Sequence, residues 1–391
     1  MNHPVRRPDP SRARRLRGAA QAPGPAQAPG VRSAVAALVV VLALLASGCG
    51  SSSSTASPST TDAGGKIGGT VRLLTDDSFA VSRPVLAAFE ARTGIKVQVV
   101  KAGDSVVVVN KAVLTRSNPE GDVLYGIDNN TLTTAYQHNL FTPYRAVGLD
   151  AVPAADRLDP QHRVTPVDQA NVCVDYDAAW FRAHHVNPPA SLADLTKPAY
   201  KSMLVTEDPA TSTPGLAFLL ATIAAKGTSG TADWQSYWKA LRANGVDVAD
   251  SWDSAFYTAF SGGGGKGTKP IVISYATDPA YAVLNASPQP TISPIGVINS
   301  TCYRQVEFAG VLAGARHPSQ ARALVDFLLS VAFQQDMPLQ MYVQPVIPQA
   351  KVPPLFARYT ARPTSLLHLP PAQVGANRST WVDQWTAVVV H

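Results

Sequence analysis

The chain has 391 residues, 46% hydrophobic and 15% charged, which allows two or three domains and excludes both a disordered chain and a multi-span membrane protein. Its formal net charge of +6 comes entirely from residues 1–48, where seven arginines face the single acid Asp9. Residues 49–391 are therefore neutral overall and carry no basic field to attract a nucleic-acid backbone.

Residues 1–33 are rich in Arg, Pro and Ala, and residues 34–46 (AVAALVVVLALLA) form an apolar run. That run is shorter than the about 20 residues a membrane span needs, but it suits the hydrophobic region of a signal peptide. The following LASGC, residues 45–49, resembles a bacterial lipobox, in which Cys49 is lipidated and becomes the new N-terminus. The expectation is a lipoprotein signal peptide over 1–48 and a flexible Ser/Thr-rich tether over 49–66. The protein would then be exported and held to the outer face of the cytoplasmic membrane. An ordinary signal peptide is the alternative, and Arg14-Arg15 leaves the export route open between general and twin-arginine secretion. Removing Cys49 leaves Cys173 and Cys302, an even number compatible with one disulfide or with two buried thiols. No Cys/His spacing suits a zinc site, and no metal is expected.

From residue 69 the pattern alternates between periods. Residues 69–74 (GTVRLL) read as a strand, 83–92 as an amphipathic helix ending at Gly94, and 95–100 (IKVQVV) as a strand. Asp104-Ser105 caps a helix running to about Arg116, although its Val106–Val109 run favours a strand by propensity. Residues 122–127 (DVLYGI) read as a buried strand followed by a polar stop and a helix. This order predicts a mainly parallel sheet with helices on both faces. A looser stretch, 146–166, comes next. Strands then follow at 167–176, 202–206, 271–275 and 303–312, and helices at 177–184, 214–225, 231–243, 253–260 and 279–285. The predicted closing helices are 318–330, 332–341 and about 374–388.

Several predicted strands end in a small polar group that caps the next helix. Thr213-Pro214-Gly215 and Asp278-Pro279 both place a cap before a proline at the first helical position. Helix N-termini at strand ends present free N–H groups suited to a carboxylate or phosphate, though most caps bind nothing. Trp252, Tyr275 and Tyr281 lie near the same ends and would stack on a planar ligand. Residues 261–268 (SGGGGKGT) imitate a phosphate loop, but Lys266 precedes its glycine and no Ser or Thr follows the lysine, so a surface loop is expected. No catalytic constellation emerges, and an enzyme is not expected.

On these residues the chain resembles the thiamine-binding proteins of ABC transporters, within the wider iron- and polyamine-type binding proteins. The resemblance rests on GDVLYGIDNN (121–130), DPATSTPGLAFLL (208–220), VISYATDPAY (272–281), QVEFAGVLAGARHP (305–318) and SVAFQQDMP (330–338), with Trp252 and the C-terminal STWVDQWTAVV. It implies an α/β, two-lobed periplasmic-binding-protein type II fold with hinge-crossing strands and a central ligand cleft. Lobe 1 would comprise 67–167 and 306–391, and lobe 2 would comprise 168–305, with the crossing strands near 167–176 and 303–312. That arrangement puts Cys173 and Cys302 near neighbouring hinge strands, which favours a disulfide.

The implied function is an extracytoplasmic receptor that hands thiamine, thiamine monophosphate or thiamine diphosphate to a membrane permease driven by an ATPase. No cofactor beyond that ligand, no nucleic acid and a monomer are expected. Family contacts carried over residue by residue fall on Asp104, Ser105, Ser212, Thr213, Trp252, Tyr275, Ala276, Thr277, Asp278 and Pro279. Tyr281 and Tyr342 join them as aromatic candidates. Ser212 and Thr213 would hold a hydroxyl or phosphate, and Asp104 or Asp278 would balance the thiazolium charge. The chain departs from the family at Asp76, in place of an aromatic, at Asp278, in place of a serine, and at Tyr342, in place of a tryptophan. A polyamine or ferric iron is the alternative solute, and a non-transport lipoprotein or an enzyme the remote one.

Overall fold

The computed structural model describes residues 66–391. The expected signal peptide, the expected lipidation site Cys49 and nearly all of the expected tether lie outside them. The first half of the chain runs β1 (Thr70–Thr75), α1 (Arg83–Thr93), β2 (Lys96–Lys101), α2 (Ser105–Leu114), β3 (Val123–Asp128), α3 (Leu132–Gln137), β4 (Thr165–Gln169) and β5 (Val172–Asp177). It continues through α4 (Ala178–Ala183), β6 (Leu204–Glu207), α5 (Thr213–Lys226), α6 (Trp234–Ala243), β7 (Asp247–Ala249), a π-helical turn (Ser254–Ala259), β8 (Ile271–Tyr275) and α7 (Asp278–Asn285). The last third runs β9 (Ile295–Tyr303), β10 (Val306–Val311), α8 (Pro318–Leu328), α9 (Val331–Gln340), β11 (Gln344–Pro345), α10 (Pro354–Tyr359) and α11 (Pro371–Val389).

Two sheets organise these elements, in the orders β11-β4-β10-β3-β1-β2 and β7-β6-β8-β5-β9. Each sheet has its own apolar core, one around Phe89, Phe327 and Phe333, the other around Phe218, Trp238 and Trp385. The expected parallel order holds for β1, β2 and β3, and for β6, β7 and β8. Strands β4, β5, β9, β10 and β11 instead pair antiparallel, so both sheets are mixed. The reason lies in how the chain changes sheets. The predicted strand 167–176 is two strands, β4 in the first sheet and β5 in the second, separated by Ala170 and Asn171. The chain returns through β9 and β10, separated by Arg304 and Gln305, where the sequence predicts one strand over 303–312. The two connectors touch, Ala170 N–H donating to the Gln305 carbonyl at 3.3 Å. A disulfide joins Cys173 on β5 to Cys302 on β9 just beyond them.

Local rules and burial explain most of the helices. Helix α1 opens with Pro84 in its first turn and ends at Gly94, whose φ of 73° is left-handed. The valine-rich α2 is a helix despite its β propensity. Asp104 caps it, and its Val106, Val108, Val109 and Ala112 are buried, so tertiary burial outweighs the small intrinsic cost of valine. The closing helix corrects the expected grouping of 306–391 with the first sheet. Trp381 and Trp385 of α11 are buried in the core of the second sheet, with Trp385 edge-on to Trp238 at 5.4 Å. Its first turns rest on α3, where Arg378 donates to Thr134 Oγ1 at 3.0 Å.

Candidate functional site

A cavity of about 910 Å³, counting its open mouth, lies between the two sheets. The first sheet contributes Asp76 to Phe79 after β1, the start of α2, Tyr125 on β3, Glu307 on β10 and the turn after α9. The second contributes Ser251 to Asp253, the π-helical turn, and the end of β8 running into α7. The cavity thus sits past the carboxyl ends of the parallel strands β1, β3 and β8, where α/β sheets place their ligands.

One wall is aromatic. The Trp252 ring stacks on Phe256 at 5.2 Å and lies 5.8 Å from Tyr275. Its indole N–H donates to Ser274 Oγ at 2.9 Å, which fixes the ring orientation. Tyr281 meets Tyr342 edge-on at 4.9 Å, and Asn285 Nδ2 donates to the Tyr342 hydroxyl at 2.8 Å. Tyr342 itself has a φ of 56°, the left-handed region. Phe79 and Tyr125, edge to face at 5.0 Å, close the side belonging to the first sheet.

The rest of the lining is acidic. Asp76 Oδ1 accepts from the Ser78 and Phe79 N–H groups at 2.8 and 3.0 Å, which folds the loop after β1 back on itself. Gly126, with φ of 94°, makes room for that carboxyl, since a Cβ there would meet Asp76 Oδ2 at 2.5 Å. Asp104 reaches across the cavity. Its Oδ1 accepts from Ser105 N at 2.7 Å and Thr213 N at 3.3 Å, and its Oδ2 accepts from Trp252 N at 3.1 Å. One carboxyl carried by the first sheet therefore holds the start of α5 and the Trp252 loop, both belonging to the second. Beneath the floor, the Tyr125 hydroxyl donates to Asp168, and Gln305 donates to Glu307 at 3.0 Å. Burial pushes the carboxyls of Asp76, Asp168 and Asp278 up to about 6, 7 and 7 respectively. Asp104 beside Asp76 adds to the shift there. Asp175, fully buried near Asp278, is raised well above the carboxylate range by burial and by that neighbouring charge. Among the residues that line the cavity there is no lysine, arginine or histidine.

An acidic cavity with aromatic walls, set between two α/β lobes that two short connectors join, suits capture of a small cation. Residues 118–362 match the family described as bacterial extracellular solute-binding protein. The chain belongs to that family. Over 321 residues this solute-binding protein is 31% identical to the thiamine-binding periplasmic protein of Salmonella typhimurium, covering 81% of this chain and 92% of that one. A solved periplasmic thiamin binding protein superposes with a TM-score of 0.72 at 30% identity, over 82% of this chain and 96% of that one. Iron-bound HitA from Pseudomonas aeruginosa superposes at 0.64 with 20% identity, over 82% and 99% of the chains, and shows the shared fold alone. The fold is the two-lobed periplasmic-binding-protein type with hinge-crossing strands and a central cleft.

Within this solute-binding protein, Asp104, Ser105, Trp252, Tyr275, Thr277, Asp278, Tyr281 and Tyr342 all line the cavity. Ser212, Thr213, Ala276 and Pro279 do not. Ser212 and Thr213 are buried behind Asp104, which takes the Thr213 N–H. Ala276 packs on the Cys173–Cys302 disulfide, and Pro279 sits buried in the first turn of α7. Sequence reasoning named Asp76 only as a departure, and missed Phe79, Tyr125, Tyr257 and Glu307 as cavity residues. Phe79 alone stood beside a position the sequence singled out, three residues after Asp76. Tyr125 and Glu307 sit inside strands and read as core.

The buried carboxyls set a pH dependence. Their folded values lie above the ordinary carboxylate range, so the folded state holds protons that the unfolded state has lost. Stability from Asp76, Asp168 and Asp278 is therefore full near pH 4 and declines as pH rises through about 6 to 7. Asp194 moves oppositely, lowered to about 2 by Lys197, and its effect falls below that window. The expected result is a ligand-free melting temperature higher at pH 5.5 than at pH 8. A profile rising across that range would contradict the buried, proton-holding carboxyls.

Proposed function

We propose that the protein is the receptor of an ABC importer and captures thiamine, or one of its phosphate esters, in the cleft between its lobes. It would bind without catalysing a reaction. The observation that carries this reading is the pairing of a stacked aromatic wall with a carboxyl-lined floor. Thiamine offers a flat aminopyrimidine and a cationic thiazolium, and such rings gain about 0.5–2 kcal/mol per cation–π contact. The relatives named above support it, since both are described as binding thiamine. In this reading lobe 1 comprises 67–167 and 306 to about 370, lobe 2 comprises 168–305, and α11 is joined to lobe 2. The lobes close on the ligand about the two connectors, as hinged binding proteins do. Cys49 carries the lipid that holds the receptor at the outer face of the cytoplasmic membrane, and residues 49–66 give it reach. As a monomer, it delivers the ligand to a membrane permease and its ATPase.

The carboxyl lining also favours a second reading, a polyamine. Calorimetric titration of the purified protein with thiamine and with spermidine separates the two. Submicromolar binding of thiamine with no heat from spermidine is expected. The reverse pattern would replace thiamine by the polyamine.

A further inference from the structure

We infer that the cleft selects the unphosphorylated cation and disfavours its phosphate esters. This deepens the reading just given and rests on it. Six carboxyl groups line the cavity, those of Asp76, Asp77, Asp104, Asp253, Asp278 and Glu307, with no basic side chain among the lining residues. A phosphate leaving water for this wall meets like charge and no countercharge to offset its desolvation. Lys101 stands outside the lining, its ammonium donating to the Asp77 carbonyl oxygen at 2.6 Å.

The usual seat for an anion in such a fold is a helix N-terminus. Here the protein fills it. The Thr213 N–H in the first turn of α5 donates to Asp104 Oδ1, and the same carboxyl holds the Trp252 and Ser105 N–H groups. A phosphate would have to displace a carboxyl already bound by three backbone donors and then remain beside it. The start of α7 is closed in a second way. Asp278 supplies a carboxyl to its first turn and accepts from Tyr275 N at 3.3 Å. The titratable groups around Asp278 are Asp175, Glu207, Tyr257 and Tyr281, none of them cationic, and Ser274 adds a neutral hydroxyl. A thiazolium gains from those lining carboxyls that are ionised at pH 8, and a neutral hydroxyethyl tail is not repelled by them.

The test is calorimetric titration of the full chain at pH 8 with thiamine, thiamine monophosphate and thiamine diphosphate, repeated on Asp278→Ser and Asp278→Asn. Thiamine is expected to bind at least tenfold tighter than either ester. Both variants are expected to narrow that gap by at least threefold, chiefly by strengthening the esters. The wild-type ratio needs no variant, so the test stands even where a substituted chain fails to fold. Esters that bind as tightly as thiamine overturn the selectivity and leave thiamine capture standing. A gap unchanged in folded variants overturns the part assigned to Asp278. No binding of any thiamine form overturns the underlying reading and this inference with it.

Discussion

Replacing Trp252 by alanine is expected to weaken thiamine binding at least tenfold while the fold stays intact. The ring is half-buried, so its removal opens the cleft wall without emptying a core. Its face contributes a stacking surface and a cation–π contact, and losing about 1.4 kcal/mol is already tenfold in affinity. The substitution also strips Ser274 of the indole donor at 2.9 Å. The backbone N–H that Trp252 gives to Asp104 survives in alanine, so the bridge across the cleft is kept. Trp252→Phe retains the face and is expected to recover most of the affinity. Tyr281→Ala, which removes a ring edge-on to Phe256 at 5.5 Å, is expected to behave like Trp252→Ala. Titration with thiamine, beside a melting curve for each variant, measures both effects. Unchanged affinity in both alanine variants would remove the aromatic wall from the binding site.

The parts legible from sequence are those that local chemistry decides. Pro84 and Gly94 bracket α1, and Asp104 caps α2, because caps and left-handed turns involve neighbours in the chain. The breaks at 170–171 and 304–305 were not legible. Each lies inside a stretch that continues the period of a strand on both sides, and only pairing with distant strands decides that the chain leaves one sheet for the other. Strand β9 was largely hidden for a related reason, since Asn299 and Ser300 interrupt its apolar pattern and both are exposed. The site divides in the same way. Asp278, Tyr281 and Trp252 stand at element ends, where ligand-facing residues announce themselves. Glu307 and Tyr125 reach the floor from mid-strand, and Ser212 and Thr213 withdraw from it because Asp104 crosses the cleft to meet them. That crossing joins residues 109 positions apart, which no spacing rule anticipates.

The closing helix supplies the sharpest contrast with the cleft. Trp385 has no exposed surface and lies edge-on to Trp238, whose indole N–H is in turn held by Thr222 Oγ1 at 2.9 Å. Truncating a buried tryptophan to alanine costs about 3–5 kcal/mol, since the void it leaves collapses only in part. Trp385→Ala is therefore expected to lower the melting temperature by roughly 10 °C, at about 2–4 °C per kcal/mol for a chain of this order of size. The loss concerns one end of α11. Near its start, Arg378 still bonds Thr134 beside the first sheet, and Trp381 and Val389 still pack in the second core, so the helix is loosened at one end and stays in contact with both lobes. Trp385 does not line the cavity, so the variant's affinity for thiamine at a temperature where it is folded should stay within about threefold of the parent. Trp252→Ala should show the reverse, a large loss of affinity with a small change in melting. If Trp385→Ala loses affinity as steeply as Trp252→Ala does, the closing helix takes part in setting the lobe closure that binding requires, and core and cleft are energetically coupled.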